Sequence, residues 1–298
     1  DKFSGQPRPV YLERARLAAD WLINVALHQC GGMKTKFFLE PGEAEKQQRY
    51  FKEETVFSFD SGMILAGLCS LNARLQESRP GAIKDQRKYF RAAQDISGFL
   101  RQRQSCRADG SLSATFVPRL NRDDDDQHES KKWSLSSTSH LAKLALGLLL
   151  FSRPRFDRRI DIFRPYQRLA NIRAADKLCA WASARQLPSG RFPIQGEDSP
   201  TDVHPHCYSV EGLLAAGLYL DKREYLQRAG LATSWLLDNQ LPNGGLSRYF
   251  AGKAWLTNIE CSDIVAQAVR LGLICLSNNL ISPKYSENIE RLVGRLLD

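Results

Sequence analysis

Two histidines and a tyrosine lie close together near the middle of the chain, where their types suit proton transfer. His204, His206 and Tyr208 begin a stretch, 201–220, that continues as an almost entirely apolar run. A helix that is apolar on every face belongs inside a large protein. Its first turn presents unpaired N–H groups and a partial positive charge that favour an anion. The stretch predicts a buried helix with acid–base groups and a carboxylate site at its N-terminus, although the same residues also suit plain packing.

Three other apolar runs resemble this one and place further polar residues near their starts. The runs near 59–71, 140–151, 206–220 and 261–276 align on a shared glycine and leucine pattern. The residues that then coincide, or fall within one turn, are Met63, His140, Tyr208, Asp263, Asp60, His206, Glu260 and Ser262. We therefore expect one groove at the N-terminal ends of these helices, completed by Arg248 and Tyr249 from a neighbouring loop.

This set of residues suits chemistry on a sugar acid. A lyase and an epimerase that act on a uronate both begin by removing the C5 proton beside the carboxylate. Helix N-termini, His206 or Arg248 would neutralise that carboxylate. Tyr208 or a histidine would be the base, and positive neighbours would lower the pKa of a tyrosine in this role. The catalytic candidates are Tyr208, His206 and His140; the substrate-binding candidates are His204, Asp60, Arg248, Tyr249, Glu260, Asp263 and Trp133.

Two other functions remain open from the residues alone. Hydrolysis needs two carboxyl groups that face one glycosidic bond, and Asp60, Glu260 and Asp263 are eligible. Asp60 and Ser262 equally suit helix N-caps. A non-catalytic protein that binds a glycan or a protein partner is the other alternative. Its stacking platforms would be the loop aromatics Trp133, Trp255, Tyr249 and Phe250.

The apolar runs alternate with charged amphipathic segments. These segments cover 14–26, 84–104, 171–186, 228–240 and 286–297. In the first four, an aromatic residue precedes a closing glycine by about 9 to 11 positions, as a repeated unit should; the pairs are Trp21 and Gly31, Phe99 and Gly110, Trp181 and Gly190, and Trp235 and Gly244. Outer amphipathic and inner apolar helices indicate two concentric layers. We predict an all-α fold, an α/α toroid of repeated helical hairpins, complete or partial, in a single domain over 1–298.

Composition and charge narrow the partners. The net charge of +9 favours a polyanion, whether nucleic acid, lipid surface or acidic polysaccharide. The densest basic patch, within 153–168, lacks a nucleic-acid recognition motif, so we expect no nucleic acid. The longest apolar run, 144–151, is too short to span a bilayer. We expect an acidic polysaccharide as the partner; the sequence does not indicate an oligomeric state.

Cysteine usage and motif content bear on compartment and cofactors. The seven cysteines are scattered, odd in number and without a Cys-x-x-Cys pair, which argues against a disulfide framework and a zinc site. Reduced thiols predict a cytoplasmic protein. The sequence contains no phosphate-binding glycine loop, metal-ligand cluster or nucleophile elbow. We therefore expect no cofactor and no bound metal.

Several phrases resemble known toroid families. Gln-Leu-Pro-x-Gly, at 186–190 and 240–244, resembles the turn motifs of terpenoid-cyclase and prenyltransferase toroids, and 123–126 contains the Asp-x-Asp-Asp pattern of one cyclase class. Phrases over roughly 55–275 resemble toroid proteins linked to bacterial polysaccharide gene clusters. These phrases are Phe-Asp-Ser-Gly-Met-Ile-Leu-Ala-Gly-Leu, Val-His-Pro-His-Cys-Tyr-Ser-Val-Glu-Gly-Leu-Leu and Asn-Ile-Glu-Cys-Ser-Asp-Ile-Val-Ala-Gln. They are similar, more distantly, to glucuronyl C5-epimerase helical domains and polysaccharide lyases. The resemblance implies a substrate across the mouth of the ring, with Tyr, His and Arg side chains at the sugar acid.

Overall fold

The computed structural model describes residues 9–34, 55–78, 83–123, 133–153, 164–251, 254–255 and 259–298. In these residues the chain forms nine α-helices: α1 Pro9–Trp21, α2 Ser58–Ser78, α3 Ile83–Ser105, α4 Leu144–Phe151, α5 Arg164–Ser183, α6 Val203–Leu220, α7 Arg223–Asp238, α8 Ser262–Ser277 and α9 Ser286–Leu297. No helix in the described part is long and apolar enough to cross a membrane. Of the predicted aspartate motif at 123–126, only the first residue lies inside the described part.

The contacts divide the chain into two compact units. The first takes residues 1–108, 112–128 and 147–174, and the second takes 109–111, 129–146 and 175–298. In the first unit α2 packs against α3, and in the second α6 packs against α7 and α8 against α9. These pairs are the helical hairpins that the alternation of segments predicts. The single domain over 1–298 stays a prediction.

The four apolar runs form mostly buried helices. Each contains leucines with almost no exposed surface, among them Leu65, Leu141, Leu213 and Leu271. Two leucines near the ends of their runs, Leu218 and Leu273, are 51% and 50% exposed, and the polar residues Ser70 and Arg270 are exposed as well. Two amphipathic helices begin earlier than the sequence predicts: α5 begins at 164 rather than 171, and α7 begins at 223 rather than 228.

The second apolar run begins as a 3-10 helix, Ser139–Lys143, and becomes α-helical only at Leu144. This turn packs closely against α6. A Cβ atom at Gly212 would lie 2.2 Å from the carbonyl carbon of Ala142, so only glycine permits the approach. The contact brings His140 and Lys143 to the side of α6.

The predicted closing glycines share one backbone conformation. Gly31, Gly110, Gly190 and Gly244 have φ angles of 89°, 81°, 99° and 86°, in the region that favours glycine. Each also touches the backbone of a later amphipathic helix. A Cβ at Gly190, for example, would lie 2.5 Å from the carbonyl oxygen of Leu231. The repeat that the sequence predicts is therefore confirmed in three dimensions at these turns.

The glutamine of each Gln-Leu-Pro-x-Gly phrase joins its turn to the next amphipathic helix. Nε2 of Gln186 donates to the carbonyl oxygen of Gly190 at 3.0 Å and to that of Arg228 at 2.8 Å. Nε2 of Gln240 donates to the carbonyl oxygens of Gly244 and Asn288 at 3.5 and 2.7 Å. We call this arrangement the glutamine clamp. Its role in this chain is structural.

Two small antiparallel sheets accompany the helices, and the sequence did not predict them. The first joins β1 Val56–Phe57, β2 Thr115–Val117 and β3 Arg122–Asp123; the second joins β4 Thr201–Asp202, β5 Tyr249–Ala251 and β6 Ala254–Trp255. In the second sheet Asp202 pairs with Tyr249. The N–H of Val203 also donates to the carbonyl oxygen of Arg248 at 2.9 Å. This pairing holds the 248–249 loop against the start of α6.

The first amphipathic segment forms α1 and a following π-helix, Leu22–Ala26. The buried face of this segment consists of small residues, Ala19 and Ala26. Trp21, which the helical spacing places on the apolar face, is 47% exposed. The alanines allow a closer approach to the rest of the first unit than the larger side chains would.

Candidate active site

The N-terminal turn of α6 brings His204 and Tyr208 together. Asp202 is the N-cap of α6, and its side chain accepts a hydrogen bond from the N–H of His204 at 3.2 Å. The first helical residue of α6 is therefore Val203. Side chains four positions apart then share a helix face. Nε2 of His204 lies 2.6 Å from the hydroxyl oxygen of Tyr208, and Nδ1 lies 2.9 Å from Oδ2 of Asp263. We name this set the Asp263–His204–Tyr208 relay.

The direction of the relay follows from the acceptor at its end. An ionised carboxylate only accepts hydrogen bonds, so we assign the imidazole proton of neutral His204 to Nδ1. Nε2 then accepts from the Tyr208 hydroxyl. The order carboxylate, imidazole and hydroxyl is the arrangement that activates serine in hydrolases, here with a phenol as the terminal group.

The site electrostatics favour a neutral relay at rest. Burial lowers the pKa of His204, and the charges of Lys143 and Arg248 also lower it, while Asp263 and Asp202 act in the opposite direction. The imidazole is therefore free to accept a proton at neutral pH.

Tyr208 holds its proton in the resting relay. Burial raises the pKa of Tyr208, the charges of Glu211 and Asp263 add to the rise, and a hydrogen bond with Gln267 opposes it. The sequence-based expectation of a lowered tyrosine pKa is therefore wrong, because burial and the two carboxylates outweigh the hydrogen bond with Gln267. The phenol loses its proton only if His204 accepts it.

A cation lies against the ring of Tyr208. Nζ of Lys143 is 3.8 Å from the ring centroid and 2.6 Å from Oε2 of Glu211. Glu211, whose side chain is only 10% exposed, also binds Arg270. Sequence reasoning did not identify Lys143 or Arg270 as site residues. The available signal was that Lys143 and Glu211 are the only Asp, Glu, Lys or Arg residues in their apolar runs.

His140 is fully buried beside the relay. Its Nδ1 atom lies 2.6 Å from the hydroxyl oxygen of Thr138. Burial, together with the charge of His204, lowers the pKa of His140 to about 3. A neutral imidazole here adds no positive charge next to His204.

Arg248 adds a partly exposed cation at the β5 side. Its Nη2 atom is 3.7 Å from Oδ2 of buried Asp202, which is beyond hydrogen-bonding distance. Burial raises the pKa of Asp202, against the charge of Arg248 and hydrogen bonds from His204 and Tyr249. The Arg248 side chain is 39% exposed, and its guanidinium lies 5.2 Å from the Tyr249 ring centroid. Arg248 therefore has donors left for an anion.

His206 lies outside the relay, contrary to the sequence-based expectation. It is 1% exposed and packs between Phe192 and Trp235. Nδ1 lies 3.3 Å from the N–H of Phe192, and Nε2 lies 3.3 Å from the carbonyl oxygen of Ala232. Since His206 and His204 are two positions apart, they point to nearly opposite faces of α6. His206 is a packing residue on the α7 side.

The structure also locates Glu260, Asp60 and Trp133, three further residues that the sequence predicts to bind substrate. Glu260 accepts from Asn243 at 2.7 Å and from Nε of Arg295 at 3.1 Å. Although burial acts in the opposite direction, these hydrogen bonds lower the pKa of Glu260. Glu260 therefore ties its loop to α9. Asp60 lies in the first turn of α2, in the first unit. Trp133 begins a short 3-10 helix, and its side chain lies outside the described part.

No group of three or more His, Cys, Asp or Glu side chains within the described ranges is placed to hold a metal ion. His204 and Asp263 instead contact each other, and the Tyr208 hydroxyl occupies the second imidazole nitrogen.

No family model matches the sequence, and no curated protein matches it. Solved structures do match the fold. A sugar epimerase from a ruminal bacterium has a TM-score of 0.68 at 11% identity, over 100% of this chain and 72% of that chain. Cellobiose 2-epimerase from Bacillus thermoamylovorans has a TM-score of 0.65 at 10% identity, over 96% of this chain and 70% of that chain. A possible member of the GH105 family from Salmonella enterica has a TM-score of 0.61 at 15% identity, over 94% of this chain and 68% of that chain.

These likenesses identify the fold class. The chain is an all-α protein of the α/α-toroid class, built of repeated helical hairpins, as the alternation of apolar and amphipathic segments predicts.

Proposed function

We propose that the protein is a carbohydrate-active enzyme that removes the C5 proton of a uronate residue in an acidic polysaccharide, as a lyase or an epimerase. The Asp263–His204–Tyr208 relay carries the proposal, because it joins a proton carrier to a neutral base and an orienting carboxylate. The toroid neighbours named as sugar epimerase and cellobiose 2-epimerase support chemistry on a sugar.

The proton moves in one coupled step. The phenol oxygen of Tyr208 accepts the C5 proton while its own proton passes to Nε2 of His204. His204 becomes an imidazolium ion, which the carboxylate of Asp263 stabilises at Nδ1. The electron pair left at C5 delocalises into the substrate carboxylate. Arg248 neutralises that carboxylate, and Lys143 offsets negative charge that develops on the ring of Tyr208.

The fate of the electron pair decides the reaction. Return of a solvent proton to the opposite face of C5 gives the epimer, and the proton that the relay gained is released to solvent. Expulsion of the O4 substituent, with a proton supplied to the leaving oxygen, gives an unsaturated sugar and a new reducing end. The raised pKa of Tyr208 suits the donor role, because a phenol holds its proton until a stronger base forms.

The test is an incubation with a panel of uronate glycans followed in three ways. Ultraviolet absorbance reports unsaturated sugar, a reducing-end assay reports cleavage, and mass spectrometry reports solvent deuterium. Absorbance with reducing ends indicates a lyase, and deuterium uptake without cleavage indicates an epimerase. We expect Tyr208→Phe to lower turnover by about 10²- to 10⁴-fold with little change in affinity. Tyr285→Phe is the matched control, since this buried phenol donates to Asp238 instead.

Other results would overturn the proposal. Reducing ends alone would indicate a hydrolase with paired carboxylates. No signal in any of the three assays, with a glycan that the protein binds, would indicate a binding protein without catalytic activity. Full activity of Tyr208→Phe would remove the relay from the mechanism.

A further inference from the structure

The first unit contains an open cleft of about 760 Å³ between the π-helix and α3. Its apolar lining consists of Ile23 and Leu27 on the side of the π-helix and Ala92 on α3. Ile23 lies in the π-helix and Leu27 directly follows it. The N–H of Leu27 donates to the carbonyl oxygen of Leu22 at 2.9 Å, and this bond closes the wide turn that holds both side chains at the cleft. Single π-turns are rare within helices and are frequent at functional sites.

The α3 side of the cleft is basic. Arg87, Lys88 and Arg91 line it. Lys88 is neutralised by Asp20, with 2.9 Å between Nζ and Oδ1. Arg87 and Arg91 are exposed, and neither forms an ion pair with any residue that the structure describes. Like charges four positions apart on a helix repel each other, so this pair favours a bound anion.

A contact between α1 and α3 provides an example of a neutralised arginine in the same unit. Arg16 of α1 is held by Asp85 at 2.7 Å and by Glu13 at 3.0 Å. Arg87 and Arg91 lie on the cleft without such partners. The cleft therefore combines two arginine forks, each able to bind an oxyanion through two N–H groups, with a wall that is apolar.

Asp95 completes the lining one turn beyond Arg91. Burial raises the pKa of Asp95. Its oxygens are acceptors for hydroxyl groups. An oxyanion beside hydroxyl groups, with C–H faces for Ile23 and Leu27, describes an anionic sugar rather than a bare inorganic ion or a lipid tail.

We propose that this cleft is a binding site for an anionic sugar unit, whose oxyanion is held by Arg87 and Arg91 and whose hydroxyl groups bind Asp95. The site is independent of the Asp263–His204–Tyr208 relay and does not rest on the reaction proposed for it. The oxyanion has two common sources in sugars, a uronate carboxylate and a phosphate ester.

Calorimetric titration of the full chain distinguishes the sources. The probes are glucuronate, glucose 6-phosphate, glucose and inorganic phosphate, each titrated into an Arg248→Gln background that weakens the proposed relay site. We expect one or both anionic sugars to bind more tightly than glucose and phosphate. The Arg87→Gln/Arg91→Gln double variant should lose at least ~10-fold in affinity, since two charge-assisted contacts disappear. Binding of only one anionic sugar identifies the oxyanion that the site accepts.

The control is Arg223→Gln, which removes an exposed arginine from α7 in the second unit and should leave binding unchanged. Circular dichroism checks that each variant is folded. Asp95→Asn should weaken both anionic sugars less than the double arginine change does, because an amide keeps one acceptor. Equal affinity of the double variant, equal binding of glucose, equal binding of inorganic phosphate, or no binding of either anionic sugar would each overturn the proposal.

Discussion

The Nδ1 atom of His204 lies 2.9 Å from Oδ2 of Asp263, and this contact determines which imidazole nitrogen faces Tyr208. Because the carboxylate takes the Nδ1 proton, Nε2 is left as the acceptor for the phenol. An exposed carboxylate on α8 thus orients a partly buried imidazole on α6. The proposed proton transfer depends on this contact between two helices of the second unit.

Replacing Asp263 by Asn should lower turnover by roughly 10- to 10⁴-fold, because an amide does not fix the imidazole tautomer. The pH profile should also move. Activity needs neutral His204, so it falls as pH drops through the pKa of His204. The charge of Asp263 raises that pKa, and its loss should shift the acid limb to lower pH. A pH–rate profile measures both effects, with the exposed Asp198→Asn as the control. An acid limb that stays in place or moves upward would contradict the relay.

Lys143→Met should lower turnover by about 10- to 100-fold, because the ammonium no longer offsets charge on the Tyr208 ring. The pKa of Tyr208 should rise, since a positive neighbour is lost. Phenolate absorbance, taken as the difference from the same titration of Tyr208→Phe, reports this pKa directly. Lys222→Met is the matched control, because Lys222 also lies over a tyrosine, 5.3 Å from the ring centroid of Tyr225. An unchanged pKa of Tyr208 in the Lys143→Met variant would refute the electrostatic role of Lys143.

His206 should make the protein less stable in acid. Burial lowers the pKa of His206 to about 4, although a hydrogen bond to the carbonyl oxygen of Ala232 acts to raise it. The unfolded chain binds this proton near the ordinary value, so the contribution is complete above about pH 6.5 and is lost as pH falls towards 4. The slope is about 1.4 kcal/mol per pH unit. Urea unfolding of the parent and of His206→Asn from pH 7 to 5 should show the stability difference narrowing. A constant difference would mean that His206 does not titrate on unfolding.

Gly190→Ala should destabilise the second unit by about 1–3 kcal/mol or more, because it combines an unfavourable φ with a clash. The φ angle is 99°, and the added methyl would lie 2.5 Å from the carbonyl oxygen of Leu231. Gly196→Ala is the control, as nothing lies within 4 Å of its added Cβ. Thermal unfolding compares the two. Similar melting temperatures would show that the turn relaxes without cost.

The hairpins were predictable from the sequence because burial repeats along it. Gly190 and Gly244 follow amphipathic segments at nearly constant spacing, and the structure gives both the same positive φ. Aligning the apolar runs also brought Tyr208 and Asp263 to equivalent positions, and the structure joins them through His204. The direct contacts of the relay depend on side-chain directions that this alignment does not specify.

The sequence does not show which of the two histidines, His204 or His206, contacts Tyr208. His204 and His206 are about 200° apart around an ideal helix, and a helix that is apolar on all sides gives no sign of which face meets the site. Lys143 was missed for a related reason. Its turn is a 3-10 helix, so an α-helical spacing places the side chain on another face. The short β4–β5 pairing that brings Arg248 near α6 involves too few residues to show a periodic pattern.

The glutamine clamp has a consequence for how such chains change over time. Gln186 and Gln240 each grip main-chain carbonyl oxygens of the following helix. A carbonyl oxygen is supplied by every residue type, so the grip specifies where the neighbouring backbone runs and leaves its side chains unspecified. The partner position Arg228 is therefore open to substitution by drift, whereas the clamping amide is not. Asn288 is more constrained, because its Nδ2 atom also donates to Oε1 of Gln240 at 2.9 Å and to the carbonyl oxygen of Leu237 at 3.0 Å. A lineage built on such joints can exchange most of its outer surface and keep its architecture.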